Sequence, residues 1–322
     1  MNTHAKLRQR GAALIMAMLT VTLVATFAAV ALWQQWRGVE VEAAERTRTQ
    51  AAWVLTGSLD WARLILREDG RAGGADHLGE PWAVPLREAR LSSFLASDKA
   101  NTGGNSTDDA PDAFLAGQIV DMQSRLNVMN LVDSGKVSEP ALKAFTKLFE
   151  MLGLPAAQLT RLAENLRFAS DTSAANQSSP QAPLLPQRVE QLVWLGLPPA
   201  SVALLAPYVT LLPARTPVNL NTASAEVIYA SVPGLDLADA QRLVAERERQ
   251  NFRVLDDAGR LIPQLAGQIN DGQHSIATRY FEVRGRLRLG PLVIEEHSLL
   301  QRDGMDVKTL WRERAVVGAG AG

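Results

Sequence analysis

The chain contains no cysteine, and that absence removes disulfides, thiolate zinc sites, iron–sulfur clusters and cysteine nucleophiles together. It does not bar an oxidising compartment, because 322 residues can bury a core without covalent staples. Histidine is scarce and scattered: His4, His77, His274 and His297 are far apart, which argues against a histidine-rich metal centre. No sign of charge dominates. Against 33 Lys and Arg stand 34 Asp and Glu, a net of −1, so a broad electrostatic grip on nucleic acid is not expected. Catalytic motifs are missing too. There is no Gly-x-Ser-x-Gly elbow, phosphate loop, His-Glu-x-x-His or paired-carboxylate motif of diagnostic spacing, and the expectation is a non-enzyme. What remains is a globular composition, 47% hydrophobic and 21% charged, long enough for about two domains.

The N-terminus carries the most information. Lys6, Arg8 and Arg10 precede Gly11, and residues 11–36 hold no charge. About 20 apolar helical residues span the ~30 Å hydrocarbon core. The basic flank predicts a cytoplasmic N-terminus, with everything after Trp36 beyond the membrane. Three readings fit. A cleaved signal peptide has small residues at 28–31 to offer, but the apolar run is longer than that class prefers. A plain anchor fits the length. A span that continues as helix fits the residues after it: no proline interrupts residues 12–80, and Gly38 and Gly57 are isolated. Beyond Arg37, Val41, Ala44, Ala51, Ala52, Leu55, Leu59, Ala62 and Leu66 recur on one helical face. The pattern predicts one helix to about Glu68, roughly 57 residues or ~85 Å, ended by the glycine-rich 70–80.

Past that helix, residues 81–96 give a weak strand signal, 97–112 a polar loop, and 114–122 a second strand. Near the C-terminus the period of two is clear. Phe281, Val283, Leu287 and Leu289 alternate with Glu282, Arg284, Arg286 and Arg288. Turns at Gly290-Pro291 and Asp303-Gly304 predict a three-stranded antiparallel meander with a polar outer face, its apolar face covered by the amphipathic half of the N-terminal helix. The last residues, VVGAGAG, read as a frayed tail.

Between the strands the pattern is helical and repeats. LGLPAAQLTRLAENL (152–166) is echoed by LGLPPASVALLAPYV (195–209) and more loosely by VPGLDLADAQRLVAER (232–247). Gly153, Gly196 and Gly234 fall where a turn disfavours a Cβ, with Pro155, Pro198 and Pro199 opening the next helix. These are helix–hairpin–helix units. Asn127, Asn130, Asn219 and Asn221 are expected to bond nearby backbone and cap helix starts.

The leader, the long helix, RLNVMNL (125–131), VNLNTASAEVI (218–228) and the adjoining Pro233-Gly234-Leu235 together resemble type IV pilins and type II secretion pseudopilins, most of all the minor pseudopilin K family. The resemblance covers nearly the whole chain. It implies an α+β fold: a long N-terminal transmembrane and amphipathic helix on a small antiparallel sheet, with a large inserted all-helical domain. It implies cleavage by a prepilin peptidase between Gly11 and Ala12, with N-methylation of Ala12. Most pilins carry Phe and Glu at the first and fifth mature positions, where this chain has Ala12 and Met16. That Glu is thought to pair with the amino terminus of the subunit ahead, and a tip subunit has none ahead. The implied division is leader 1–11, membrane and assembly helix 12–70, sheet domain 71–124 with 275–316, and inserted helical domain 125–274.

The implied function is structural: a tip complex with other minor pseudopilins, built on the inner-membrane secretion platform, that starts the pseudopilus and supports export across the outer membrane. The implied location is a single pass of the inner membrane with the bulk periplasmic. No cofactor is expected. The family often has an acidic, calcium-associated segment where this chain reads LRFASDTSAANQSS (166–179), in which Asp171 is the one acid: the family's acidic loop is not preserved, and calcium is left as a weak alternative. Asp121, Asp133, Asp256, Asp257 and Asp271 could contribute to a cation site elsewhere, with solvated acids the commoner explanation. The alternative is a membrane-anchored periplasmic helix–hairpin–helix DNA-binding protein. Residues 218–258 weigh against it, with four arginines facing seven acids.

Overall fold

The computed structural model describes residues 4–91, 113–173, 176, 179–290 and 292–317, giving the backbone alone for 4–10. The expected polar loop 97–112, the end of the first strand candidate and the tail beyond 317 lie outside the described residues. The chain divides into two compact units, 1–56 and 57–322.

Helix α1 runs His4–Ala72. No proline interrupts it, and Gly38 and Gly57 each cost it only ~1 kcal/mol relative to alanine. It stops at two left-handed glycines, Gly73 at φ +65° and Gly74 at φ +117°, with the Gly73 N–H donating to the Asp69 carbonyl. In the first unit, Leu14, Met16, Val24, Phe27, Trp33 and Val41 are all exposed.

The second unit holds a five-stranded antiparallel sheet in the order β1-β2-β9-β10-β11. Its strands are β1 (Leu86–Arg90), β2 (Ala113–Asp121), β9 (Tyr280–Leu289), β10 (Leu292–Asp303) and β11 (Asp306–Val317). Strand β1 is shorter than the weak signal over 81–96 suggests. Pro81 opens a 3-10 turn (Pro81–Ala83), and a second proline at 85 has no N–H for a ladder. Strands β2 and β9 are adjacent, with Asp121 opposite Phe281. Residues 122–279 therefore stand where a hairpin turn would.

One face of the sheet is closed by α1. Leu59, Ala62 and Leu66 pack with Trp82, Phe281, Val283, Leu300 and Val307. Trp82 meets Phe281 edge to face, ring centroids 5.2 Å apart. Each large side chain buried here is worth about 1.5–3 kcal/mol. The opposite face departs from expectation. It is not an open polar surface: Met122, Leu212, Tyr280 and Leu299 form a buried cluster on it, and Glu282 is buried beside them. Alternation shows which residues share a face but not whether that face is covered. Here Glu282 tolerates burial because it is paired with Arg284 and His297; Glu296, buried on the α1 face, is likewise paired with Arg312 and Arg314.

The region between β2 and β9 is mostly helical, with short bridges. Its strands are β3 (Leu126–Asn127), β4 (Val132–Asp133), β5 (Lys136–Val137), β6 (Val209–Thr210), β7 (Val218–Asn219) and β8 (His274–Ser275). They pair as β3 with β6, β4 with β5 and β7 with β8. Its helices are α2 (Glu139–Met151), α3 (Ala156–Ala169), α4 (Pro199–Leu205), α5 (Ala225–Ser231), α6 (Leu237–Arg249) and α7 (Leu255–Leu261). Leu131, Phe145, Leu148, Phe149, Leu166, Leu192 and Ile228 lie at its core. All three repeat glycines are left-handed, Gly153 at φ +67°, Gly196 at +89° and Gly234 at +77°. The fold is thus α+β, a long helix on an antiparallel sheet with a large helical region set into it.

Candidate functional site

A structural protein works through its anchor, its surfaces and what holds its parts in register. The anchor is the first half of α1. Within residues 11–33 the hydroxyls that would be costly in lipid are satisfied locally: Thr20, Thr22 and Thr26 each bond a carbonyl three or four residues back. The guanidinium of Arg37 lies 5.5 Å over the Trp33 ring, an arrangement suited to a membrane–water boundary. Among the described residues α1 contains the one segment long and apolar enough to cross a membrane. Gly11 lies within this helix, and a Cβ built there meets nothing within 4 Å. Met16 is 67% exposed, so the fifth position after Gly11 presents a thioether in place of a carboxylate.

The second element is a buried polar junction between sheet and helical region. Asp121, at the end of β2, is not the solvated acid its sequence context suggests. It is 2% exposed and accepts four hydrogen bonds. Oδ1 takes the Gln123 N–H and the Thr278 hydroxyl, and Oδ2 takes Asn219 Nδ2 and the Thr222 hydroxyl. Burial nevertheless outweighs these donors and pushes its carboxyl up to about 6. The junction continues through Asp76, whose carboxylate accepts from the Thr278 N–H and from Arg302, which also holds Asp69. The sequence could not reveal Asp121, because its four partners lie on three separate segments.

The asparagines do more than cap. Asn127 does accept from the Met129 N–H, but its Nδ2 reaches Ala214 O at 2.7 Å. Asn130 clamps Thr216 through both its N–H and its carbonyl. Asn221 does the same to Phe252, and Asn219 ties Asp121 to the Asp76 carbonyl. Each asparagine offers donor and acceptor together, which is what cross-linking two backbone segments requires.

The acids considered for a cation are dispersed. Asp171 makes a local turn with the Ser173 N–H, Asp133 pairs with Arg215, and Asp257 caps α7 and pairs with Arg260. Asp69, Asp76 and Glu80 do converge, but Arg302 bridges the first two, and Glu80 accepts from the His77 N–H and Trp82 Nε1. Burial, against those two hydrogen bonds, raises Glu80 to about 7.

The hairpins are built for packing. Lys147 on α2 sends its ammonium into the α5–α6 turn, donating to the carbonyls of Tyr229, Val232 and Leu235 at 2.5, 2.9 and 2.9 Å. Of the four arginines near this turn, Arg247 is buried with its guanidinium on the Leu220 carbonyl, and Arg242 is taken up by Leu261 O and Asp239. That leaves little for a phosphate backbone.

Anchor helix, antiparallel sheet and helical region between adjacent strands together define a membrane-anchored, pilin-like α+β protein. Two family models for type II secretion system protein K match, over residues 124–214 and 218–277. Type II secretion system protein K of Pseudomonas aeruginosa is 30% identical over 321 residues, covering 93% of this chain and 90% of that protein. Its counterpart in Pectobacterium carotovorum subsp. carotovorum is 26% identical, covering 95% and 96%. A chain in the crystal structure of the GspK-GspI-GspJ complex from the enterotoxigenic Escherichia coli type 2 secretion system has the same fold: TM-score 0.62 at 20% identity, covering 84% of this chain and 98% of that one. This chain belongs to the type II secretion system protein K family, the minor pseudopilins of protein export.

Proposed function

We propose that this chain is the tip subunit of the pseudopilus, assembling with other minor pseudopilins, as in the complex of its structural relative, and initiating the filament on the inner-membrane platform. The observation that carries the reading is the helical region of residues 122–279, set between two adjacent strands of a small sheet. A filament subunit must accept a neighbour above and below, and a region larger than the sheet that bears it obstructs one of those places. Met16 points the same way, since no carboxylate there recruits a neighbour's amino terminus. The chain enters the membrane with residues 1–11 cytoplasmic and residues beyond 36 periplasmic. Prepilin peptidase cuts between Gly11 and Ala12, and Ala12 is then methylated. The role is structural and involves no catalysis; of the three acids that converge, Arg302 already holds Asp69 and Asp76. Counting copies per pseudopilus by quantitative mass spectrometry tests the proposal. About one copy per filament is expected, and many copies along each filament would overturn it.

A further inference from the structure

The covered outer face of the sheet does not meet the helical region everywhere. Between them lies a cleft of about 590 Å³, walled on one side by Glu282, Arg284, His297 and Trp311 of β9–β11 and on the other by Arg125, residues 187–191, Ala206, Thr210 and Leu211. The walls are tied together by an ion pair between Arg188 and Glu313. Inside, the half-buried and buried charges other than Arg125 are paired. Both oxygens of Glu282 are in use, Oε2 by Arg284 at 2.6 Å and Oε1 by His297 Nδ1 at 3.0 Å. Burial alone would raise Glu282, but the hydrogen bonds from His297 and Arg284 overcome it and hold the carboxyl below its usual range. Arg125 is the exception. It is half-buried, lines the cleft, and has no hydrogen bond or ion pair among the described residues. Burial, and then the charge of Arg284 beside it, depress its pKa against the weaker attraction of Glu282.

We infer that this cleft binds an acidic side chain of a partner polypeptide, its carboxylate paired with Arg125 and its apolar neighbours lying against Trp311. A half-buried guanidinium without a partner is unfavourable in the free protein, and a fork of parallel N–H donors is the natural complement of a carboxylate. The arginine and tryptophan together are the residue types that dominate binding energy at protein interfaces. The occupant is a single carboxylate and not a phosphate. Glu282, Glu313 and the exposed Glu190 line the same cleft and repel a dianion. The inference is independent of the tip reading, because it concerns a pocket within the second unit whatever the subunit's place in the filament.

The test uses the full chain in detergent micelles, labelled with 5-fluorotryptophan, with the Trp311 resonance assigned by Trp311→Phe. The probes are acetyl-Ala-Leu-Glu-Leu-Ala-amide, its Gln counterpart, and the Gln peptide with a free C-terminal carboxylate. The Glu peptide should shift the Trp311 signal saturably, and both Gln peptides should bind at least tenfold more weakly. Arg125→Gln should weaken the Glu peptide at least tenfold while leaving the melting temperature unchanged or higher, because it removes an unpaired charge. Absence of saturable binding, equal binding of Glu and Gln amides, binding that survives Arg125→Gln, or stronger competition from inorganic phosphate than from the Glu peptide would each overturn the inference. So would a fall of several degrees in the melting temperature of Arg125→Gln, since Arg125 would then serve the fold. Preference for the free C-terminus over the Glu side chain would equally reject the stated occupant.

Discussion

Buried His274 and Asp121 oppose one another in acid. His274 is 1% exposed, and burial pushes its imidazole down to about 4. Its neutral form is the folded one, so its contribution is complete above the unfolded value of 6.5 and is lost as pH falls through 4, a loss of about 3 kcal/mol. Asp121 is raised to about 6, so its contribution is complete below the unfolded value of 3.8 and lost as pH rises through 6, again about 3 kcal/mol. From pH 7 to 4 the two nearly cancel. Urea unfolding at pH 7, 5.5 and 4 should separate them: relative to the parent, His274→Gln gains stability as pH falls and Asp121→Asn loses it. Identical pH slopes for both variants would contradict the assignment. Lys147 offers a third case. Lys147→Met leaves three carbonyls of the α5–α6 turn without their donor, and should cost about 3 kcal/mol in chemical denaturation.

At the scale of the element, the repeat glycines separate two physical effects. Gly153 and Gly196 are both left-handed, but a Cβ at 153 meets nothing within 4 Å, whereas at 196 it comes within 2.7 Å of Arg161 Cδ. Gly153→Ala should cost about 1 kcal/mol from backbone conformation alone. Gly196→Ala should cost more, because Arg161 must also move. Equal melting temperatures for the two would show that Arg161 yields freely. The period-2 and helical patterns identify β2, β9–β11 and α1 in the sequence because each has one apolar face and no proline inside it. They fail at β1, where Pro81 and Pro85 divide a short apolar run, and at the outer sheet face, where burial rests on ion pairs between residues that look solvent-bound in sequence.

For the whole molecule, the leader and the helical region give separate tests. A Cβ at Gly11 meets nothing within 4 Å among the described residues, so loss of cleavage in Gly11→Leu, read as an unprocessed N-terminus by mass spectrometry, would report recognition by the peptidase and not misfolding. Met16→Glu should leave the copy number per filament unchanged, because the helical region still obstructs a subunit above. Replacing residues 122–279 with a short turn joins Asp121 to Tyr280, already neighbours across the β2–β9 ladder, and should raise that number. Asp121 would need a simultaneous change to Thr, since the deletion removes all four of its donors.

Sequence alone determined what depends on nearest neighbours in the chain: an apolar run with a basic flank, an unbroken helix, alternating strands, glycine turns and the words of a family. It determined the anchor because that is a local property. The tertiary structure alone decided that Asp121 is buried, that the asparagines join segments 31 to 143 residues apart, and that Arg125 has no hydrogen-bond or ion-pair partner among the described residues. Those facts arise from contacts between distant segments, and a side chain's charge state and partners are set by what surrounds it in space.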